Sequence, residues 1–149
     1  MESLSPNTKF VDLPLIRRDT LEERRYQKEV AEVSATQNTL VMLPTGLGKT
    51  AIALLVASNF LSKSSNSRVL ILAPTRVLVH QHYSFVSKHI DLDQEEIGVL
   101  TGEDLNELRD SVWSKRVVCA TPQVTVSDCI DFNTGVSSNS IHSTSVLYT

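Results

Sequence analysis

A lysine and a threonine that follow two closely spaced glycines are the strongest chemical signal in the sequence. Residues 43–50 read Leu-Pro-Thr-Gly-Leu-Gly-Lys-Thr, after an apolar stretch and before a helical pattern. The glycines permit a tight turn in which successive backbone N–H groups point into one concavity, where they can bind a phosphate. We therefore predict a phosphate-binding loop, although Leu43 replaces the first glycine of the usual G-x-x-x-x-G-K-[ST] pattern.

The polar groups of this loop suit a nucleoside triphosphate. Lys49 supplies a positive charge for the β- and γ-phosphates, and the Thr50 hydroxyl is placed to ligate Mg²⁺. The positive end of the helix dipole attracts the same anion. The predicted binding residues are Thr45, Gly46, Leu47, Gly48, Lys49 and Thr50, of which Lys49 and Thr50 are the catalytic candidates. The alternative is a turn that only connects a strand to a helix.

Apolar strands alternate with helical patterns along the chain, which is typical of a parallel sheet flanked by helices. Strands are predicted at 39–43, 68–73, 97–100, 116–120 and, less regularly, 146–148. Helices are predicted at 21–33, 49–62, 77–90, 103–112 and 122–130. The expected fold is a three-layer α/β domain with a mostly parallel sheet that is incomplete at its C-terminal end.

Two further loops repeat one arrangement, a predicted strand followed by threonine and proline at a helix start. They read Ala-Pro-Thr-Arg at 73–76 and Ala-Thr-Pro-Gln at 120–123. Ligands collect at the carboxyl ends of parallel strands, so both loops should share an edge with the phosphate-binding loop. Threonine hydroxyls and backbone N–H groups there can hold polynucleotide phosphates. Each motif alone is equally compatible with a simple helix cap.

In order and spacing, these motifs resemble the first motor domain of superfamily 2 helicases, in particular the archaeal Hef and FANCM branch of DNA-repair helicases. The likeness spans roughly 25–130 and also includes Val-Leu-Val-His-Gln-His at 77–82 and Leu-Thr-Gly-Glu at 100–103. It implies a RecA-like P-loop fold, ATP and Mg²⁺ as cofactors, and ATP-dependent remodelling of nucleic acid. Lys49 and Thr50 would then be the phosphate and Mg²⁺ contacts.

The resemblance also implies roles outside the loop. Gln27 in Arg-Tyr-Gln matches the family's adenine-side element and would read the base edge. Contacts to a nucleic-acid backbone, DNA rather than RNA, are implied for Pro74, Thr75, Arg76, Gln81, Thr101, Gly102, Glu103, Thr121, Pro122 and Gln123. Such binding must be local and weak because the net charge of the chain is −3. Arg76 has a second interpretation, a structural residue paired with an acidic neighbour.

An acidic pair that the family uses for hydrolysis is not found. It would be Asp-Glu-x-His after a strand, near 146–148, and no acidic residue follows that point. Its aspartate would help to hold Mg²⁺ and its glutamate would orient the attacking water. We therefore expect an N-terminal helicase portion that binds ATP without hydrolysing it, with the remainder encoded separately as a partner.

Two alternatives remain for the function of these residues. One is a remnant that binds nucleotide or DNA without catalysis. The other is a small P-loop kinase-like NTPase, which is disfavoured because nothing after Asp131 supplies a basic lid for the transferred phosphate.

Composition limits the architecture to one domain of 149 residues, 41% of them hydrophobic. We divide it into an N-terminal extension (1–20), a partial ATP-binding domain (21–131) and an uncharged, serine-rich tail (132–149) that is a loop or disordered. The absence of a signal peptide or membrane span predicts a cytoplasmic protein. Cys119 and Cys129 are predicted to be buried thiols, and His89 and His142 to lie on the surface.

Overall fold

Residues 7–103, 106–132 and 144–148 are described in a computed structural model of the chain. This part contains helices α1 (Arg25–Ser34), α2 (Lys49–Lys63), α3 (Arg76–His89), α4 (Asn106–Trp113) and α5 (Pro122–Phe132). Its strands are β1 (Arg68–Leu72), β2 (Ile97–Leu100), β3 (Val117–Ala120) and β4 (Thr144–Tyr148), and a 3₁₀ turn at Gln94–Glu96 precedes β2. The tail predicted at 132–149 lies largely outside the described residues.

The four strands form one sheet in the order β2-β3-β1-β4, and every neighbouring pair is parallel. Leu72 of β1 and Leu100 of β2 both pair with Ala120 of β3, so the carboxyl ends of these three strands are level. The apolar run Val-Leu-Ile-Leu of β1 suits a strand that is covered on both faces. The predicted parallel α/β fold is confirmed.

Side chains alternate between two cores, one on each face of the sheet. Val69 and Ile71 point to the larger core, which α1, α2 and α3 cover. Leu70 and Val118 point to the smaller core, where they meet Val124 of α5 and the end of α4. The three layers place α2 and α3 on one face and α4 and α5 on the other.

The strand predicted at 39–43 is wrong, because this segment has no regular secondary structure and no ladder partner in the described part of the chain. Leu40 and Met42 are 85% and 84% exposed, whereas Val41 and Leu43 pack against the larger core. The side chains alternate as they would in a strand. A strand also needs a hydrogen-bonded neighbour, which alternation alone does not supply.

The segment before α1 packs closely across α2 and α3. Val11 and Ile16 are buried, and Ile16 forms an antiparallel bridge with Ile90 directly after α3. The Arg17 Nε donates to the Ile90 carbonyl oxygen at 3.0 Å, and the Ser58 hydroxyl of α2 donates to the Pro14 carbonyl oxygen. Long-range contacts of this kind have no local sequence signature. The sequence therefore predicts only an N-terminal extension at 1–20, without its packing against α2 and α3.

Two predictions about side-chain exposure are wrong. His89 is buried, with its ring centroid 4.5 Å from that of Phe85, and burial lowers the pKa of its imidazole. Cys129 is exposed on α5. Cys119 is buried as predicted, and burial raises the pKa of its thiol to about 12. His142 lies outside the described residues.

Element boundaries differ from the prediction by a few residues. Helix α1 begins at Arg25 rather than 21, and α4 begins at Asn106 rather than 103. Helix α2 begins at Lys49 and β2 spans 97–100, both as predicted. Within the described ranges, no helix combines the length and the apolar character that a bilayer span requires.

Candidate nucleotide and nucleic-acid site

The loop before α2 has the backbone conformation that a phosphate-binding turn requires. Gly46 and Gly48 adopt φ angles of 90° and 76°, in the left-handed region that favours glycine. Gly48 is the N-cap of α2 and has no side chain with which to cap the helix. The first backbone N–H groups of α2 therefore receive no hydrogen bond acceptor from a cap side chain, and a bound anion can accept their hydrogen bonds instead.

Helix α1 contacts the predicted phosphate-binding loop through two side chains. The Tyr26 hydroxyl donates to the Leu47 carbonyl oxygen at 2.6 Å, and the Gln27 Nε2 donates to the Leu47 and Gly48 carbonyl oxygens at 3.3 and 3.4 Å. A Cβ at Gly48 would overlap the Gln27 Nε2, so a larger residue would displace the Gln27 amide, and the positive φ angle of Gly48 also favours glycine. The sequence interpretation missed Tyr26, although its neighbour Gln27 was singled out.

Gln27 is buried, and its amide nitrogen is engaged by the loop backbone. Gln27 also lines a cavity beside the loop, and a base bound in that cavity would lie next to this residue. The base-reading role implied for Gln27 stays a prediction.

A cavity of about 630 Å³ adjoins the loop, within the range of small-molecule sites. We call it the loop cavity; it is lined by Leu21, Glu22, Arg24, Gln27, Thr45, Gly46, Gly48, Lys49, Thr50, Ala51, Leu78, His82 and Phe85. The loop is exposed at Thr45, Gly46, Leu47 and Lys49 and half-buried at Gly48 and Thr50. Burial lowers the pKa of His82, which favours its neutral form, so the loop cavity's cations are Lys49 and Arg24.

The loops that follow β1, β2 and β3 start from the level carboxyl edge of the sheet. The Ala73 N–H donates to the Ala120 carbonyl oxygen at 3.1 Å, and the Thr121 N–H donates to the Leu100 carbonyl oxygen at 3.2 Å. Of the predicted nucleic-acid contacts, those exposed are Pro74, Thr75, Arg76, Gln81, Gly102, Glu103 and Gln123; Pro122 is half-buried, and Thr101 and Thr121 are buried. These three loops thus lie together, but not all of their side chains face solvent.

Thr75 and Arg76 are both engaged within the protein. The Thr75 hydroxyl accepts a hydrogen bond from the Leu78 N–H at 3.3 Å, so Thr75 caps α3. Arg76 forms an ion pair with Glu103, in which the side chains are 54% and 68% exposed. The second interpretation of Arg76, pairing with an acidic neighbour, describes this contact.

An open groove of about 890 Å³ runs along α3, and we call it the α3 groove. It is lined by Thr75, Arg76, Val77, His80, Gln81, Ser84, Phe85 and Lys88.

A buried polar cluster joins α4 to α5, and no sequence pattern indicated it. Asp128 accepts a hydrogen bond from the Arg109 Nη1 at 2.9 Å and from the Trp113 Nε1 at 2.8 Å. The side chains of Arg109 and Asp128 are 17% and 7% exposed. The Trp113 ring packs against the smaller core. The cluster fixes α5, whose first turn follows Thr121.

Comparison with known proteins identifies close similarities. Residues 24–145 match the DEAD/DEAH box helicase family. A protein of Methanocaldococcus jannaschii named as an ATP-dependent RNA helicase is 43% identical over 122 residues, 81% of this chain and 16% of its own length. The DEAD-box ATP-dependent DNA helicase Fancm of Drosophila melanogaster is 41% identical over 109 residues, 72% of this chain and 7% of its own.

Solved structures show the same similarity. The crystal structure of the Pyrococcus furiosus Hef helicase domain superposes with a TM-score of 0.80 at 35% identity, over 90% of this chain and 27% of that one. The helicase MrfA bound to DNA superposes with a TM-score of 0.64 at 21% identity, which supports the fold alone. The chain therefore has the RecA-like α/β fold of a helicase domain. It spans only a small share of the length of the relatives that it matches.

Proposed function

This chain belongs to the DEAD/DEAH box helicase family, and we propose that it is the ATP-binding N-terminal portion of a DNA helicase or translocase of the Hef and FANCM type. It spans 16% and 7% of the two relatives named above, so DNA remodelling by a whole protein is part of the proposal. An intracellular location is also proposed, since ATP and DNA are found there.

The observation that carries this proposal is the loop before α2. Gly46 and Gly48 hold positive φ angles, α2 begins at Lys49 without a side-chain cap, and the adjoining loop cavity is large enough for a nucleotide. A Cβ built at Gly46 meets no atom within 4 Å, so glycine is favoured there by its positive φ angle and not by lack of space. The lysine charge and the helix N–H groups would bind the β-phosphate together.

Mg²⁺ fits the same loop through the Thr50 hydroxyl at the start of α2. When bound, the metal would neutralise phosphate charge. Because residues 1–149 contain no Asp-Glu pair after an apolar strand, the function proposed for them is nucleotide binding rather than turnover.

We expect ADP to bind about ten times more tightly than AMP. The β-phosphate that AMP lacks is the group that the loop N–H atoms and Lys49 would hold, and one charge-assisted hydrogen bond contributes about 1.5 kcal/mol or more. Calorimetric titration with each nucleotide in Mg²⁺ measures both affinities. Equal affinities would mean that the loop does not bind the β-phosphate, and the proposal would fail.

Nucleic acid is the second proposed ligand, held through backbone phosphates at the loops after β1, β2 and β3. The level strand ends support it, because they bring Thr75, Arg76 and Gln123 to one edge of the sheet. Contacts to phosphates carry no base information. The site would therefore track a strand rather than recognise a sequence.

Binding to single-stranded DNA should be weak, independent of sequence and lost between about 50 and 200 mM salt, since few phosphates are neutralised by an acidic chain. Anisotropy titrations with labelled oligonucleotides of two unrelated sequences test this. We expect Thr75→Ala to weaken the binding and Thr36→Ala, an exposed threonine after α1, to leave it unchanged. Salt-insensitive or sequence-selective binding would contradict backbone contacts, and equal effects of the two variants would remove Thr75 from the site.

A further inference from the structure

Glu103 occupies the one position in the candidate nucleic-acid site that repels a phosphate. The family resemblance implies that Glu103 contacts the nucleic-acid backbone. An ionised carboxylate and a phosphodiester both offer only hydrogen-bond acceptors, so the two groups cannot hydrogen-bond to each other. The structure shows what its oxygen does instead, because Oε1 accepts a hydrogen bond from the Arg76 Nη1. Glu103 is thus the partner of the residue best suited to hold a phosphate.

The position of Arg76 makes this pairing consequential. Arg76 is the first residue of α3, immediately after the cap Thr75, and it lines the α3 groove. A guanidinium there can bind a carboxylate or a phosphate with the same fork of N–H donors, but a donor that is engaged by one is less available to the other. The two anions therefore compete for one group.

The pair is weak enough to be exchanged. Both side chains are more than half exposed, and exposed ion pairs typically contribute about 0.2–1 kcal/mol because water screens them. The two residues come from different segments, the start of α3 and the turn after β2, so the bond can open without unfolding either element.

From this contact we infer that Glu103 is an internal competitor of nucleic-acid phosphates for Arg76. In the free protein the carboxylate satisfies the guanidinium, and a strand backbone must displace it to bind. Glu103 thereby sets the affinity and the salt dependence of the site without touching the ligand. The inference rests on the proposed nucleic-acid binding and adds the residue that tunes it.

The test is a double-mutant cycle on single-stranded DNA binding, measured by anisotropy with labelled oligothymidine at about 50 mM salt. Glu103→Gln should bind about 1.4 to five times more tightly than the wild type, the range that corresponds to losing an exposed ion pair of about 0.2–1 kcal/mol. Arg76→Gln should bind more weakly. The double variant should bind like Arg76→Gln alone, because Glu103 acts only through Arg76.

A matched control is Glu107→Gln, which removes an exposed acidic charge from the first turn of α4. It should leave the affinity unchanged. If Glu103→Gln still tightens binding in the Arg76→Gln background, Glu103 acts by general repulsion and the inference is overturned. If DNA binds, Arg76→Gln weakens it and Glu103→Gln changes nothing, the inference alone is overturned. If neither wild type nor any variant binds DNA, the proposed nucleic-acid function fails and takes the inference with it.

Discussion

Replacing Asp128 with alanine should lower the free energy of unfolding by about 3–5 kcal/mol, the usual cost of removing one partner from a buried ion pair. The carboxylate of Asp128 accepts from both the Arg109 guanidinium and the Trp113 indole, and its side chain is almost fully buried. Without it, a positive charge and an indole N–H are left without an acceptor in a poorly solvated site. The contact between α4 and α5 weakens as a result.

Urea denaturation followed by circular dichroism measures this effect as a shift of the transition midpoint. Asp128→Asn keeps the shape and one acceptor oxygen, so we expect a smaller loss and a folded protein in which to measure it. Asp110→Ala, which removes an exposed aspartate from α4, is the control and should change the stability by less than about 0.5 kcal/mol. Equal midpoints for Asp110→Ala and Asp128→Ala would show that the buried cluster does not hold the two helices together.

Local sequence patterns predicted the elements whose causes are local. The start of α2 at Lys49 follows from Gly48, because glycine readily adopts the left-handed conformation seen directly before the helix. Strand β2 follows from a short apolar run between polar segments. The common edge of the loops after β1 and β3 was also predictable, because neighbouring parallel strands present their carboxyl ends to the same edge of a sheet.

Features that depend on distant residues could not be predicted in this way. The segment around Met42 alternates like a strand but finds no hydrogen-bonding neighbour in the described residues. The orientation of the Gln27 side chain depends on hydrogen bonds to Leu47 and Gly48, which are distant in the sequence. The Asp128 cluster joins two helices that a sequence pattern treats separately. His89 is predicted on the surface from the sequence, whereas packing against Phe85 buries it.

Lys49→Ala should weaken nucleotide binding about ten- to hundred-fold. A hydrogen bond to a charged group contributes about 1.5–3 kcal/mol, and Lys49 is the loop's only cationic side chain. The variant should fold normally, because Lys49 is exposed and alanine is the best helix former. Lys63→Ala removes the same charge from the opposite end of α2 and should leave the affinity unchanged.

Calorimetric titration of the wild type, Lys49→Ala and Lys63→Ala with ADP and Mg²⁺ is the most direct test of a phosphate-binding loop at this helix start. We predict that the wild type and Lys63→Ala bind ADP with equal affinity and that Lys49→Ala binds at least ten times more weakly. Equal binding by Lys49→Ala and the wild type would contradict the assignment of this loop as the nucleotide site.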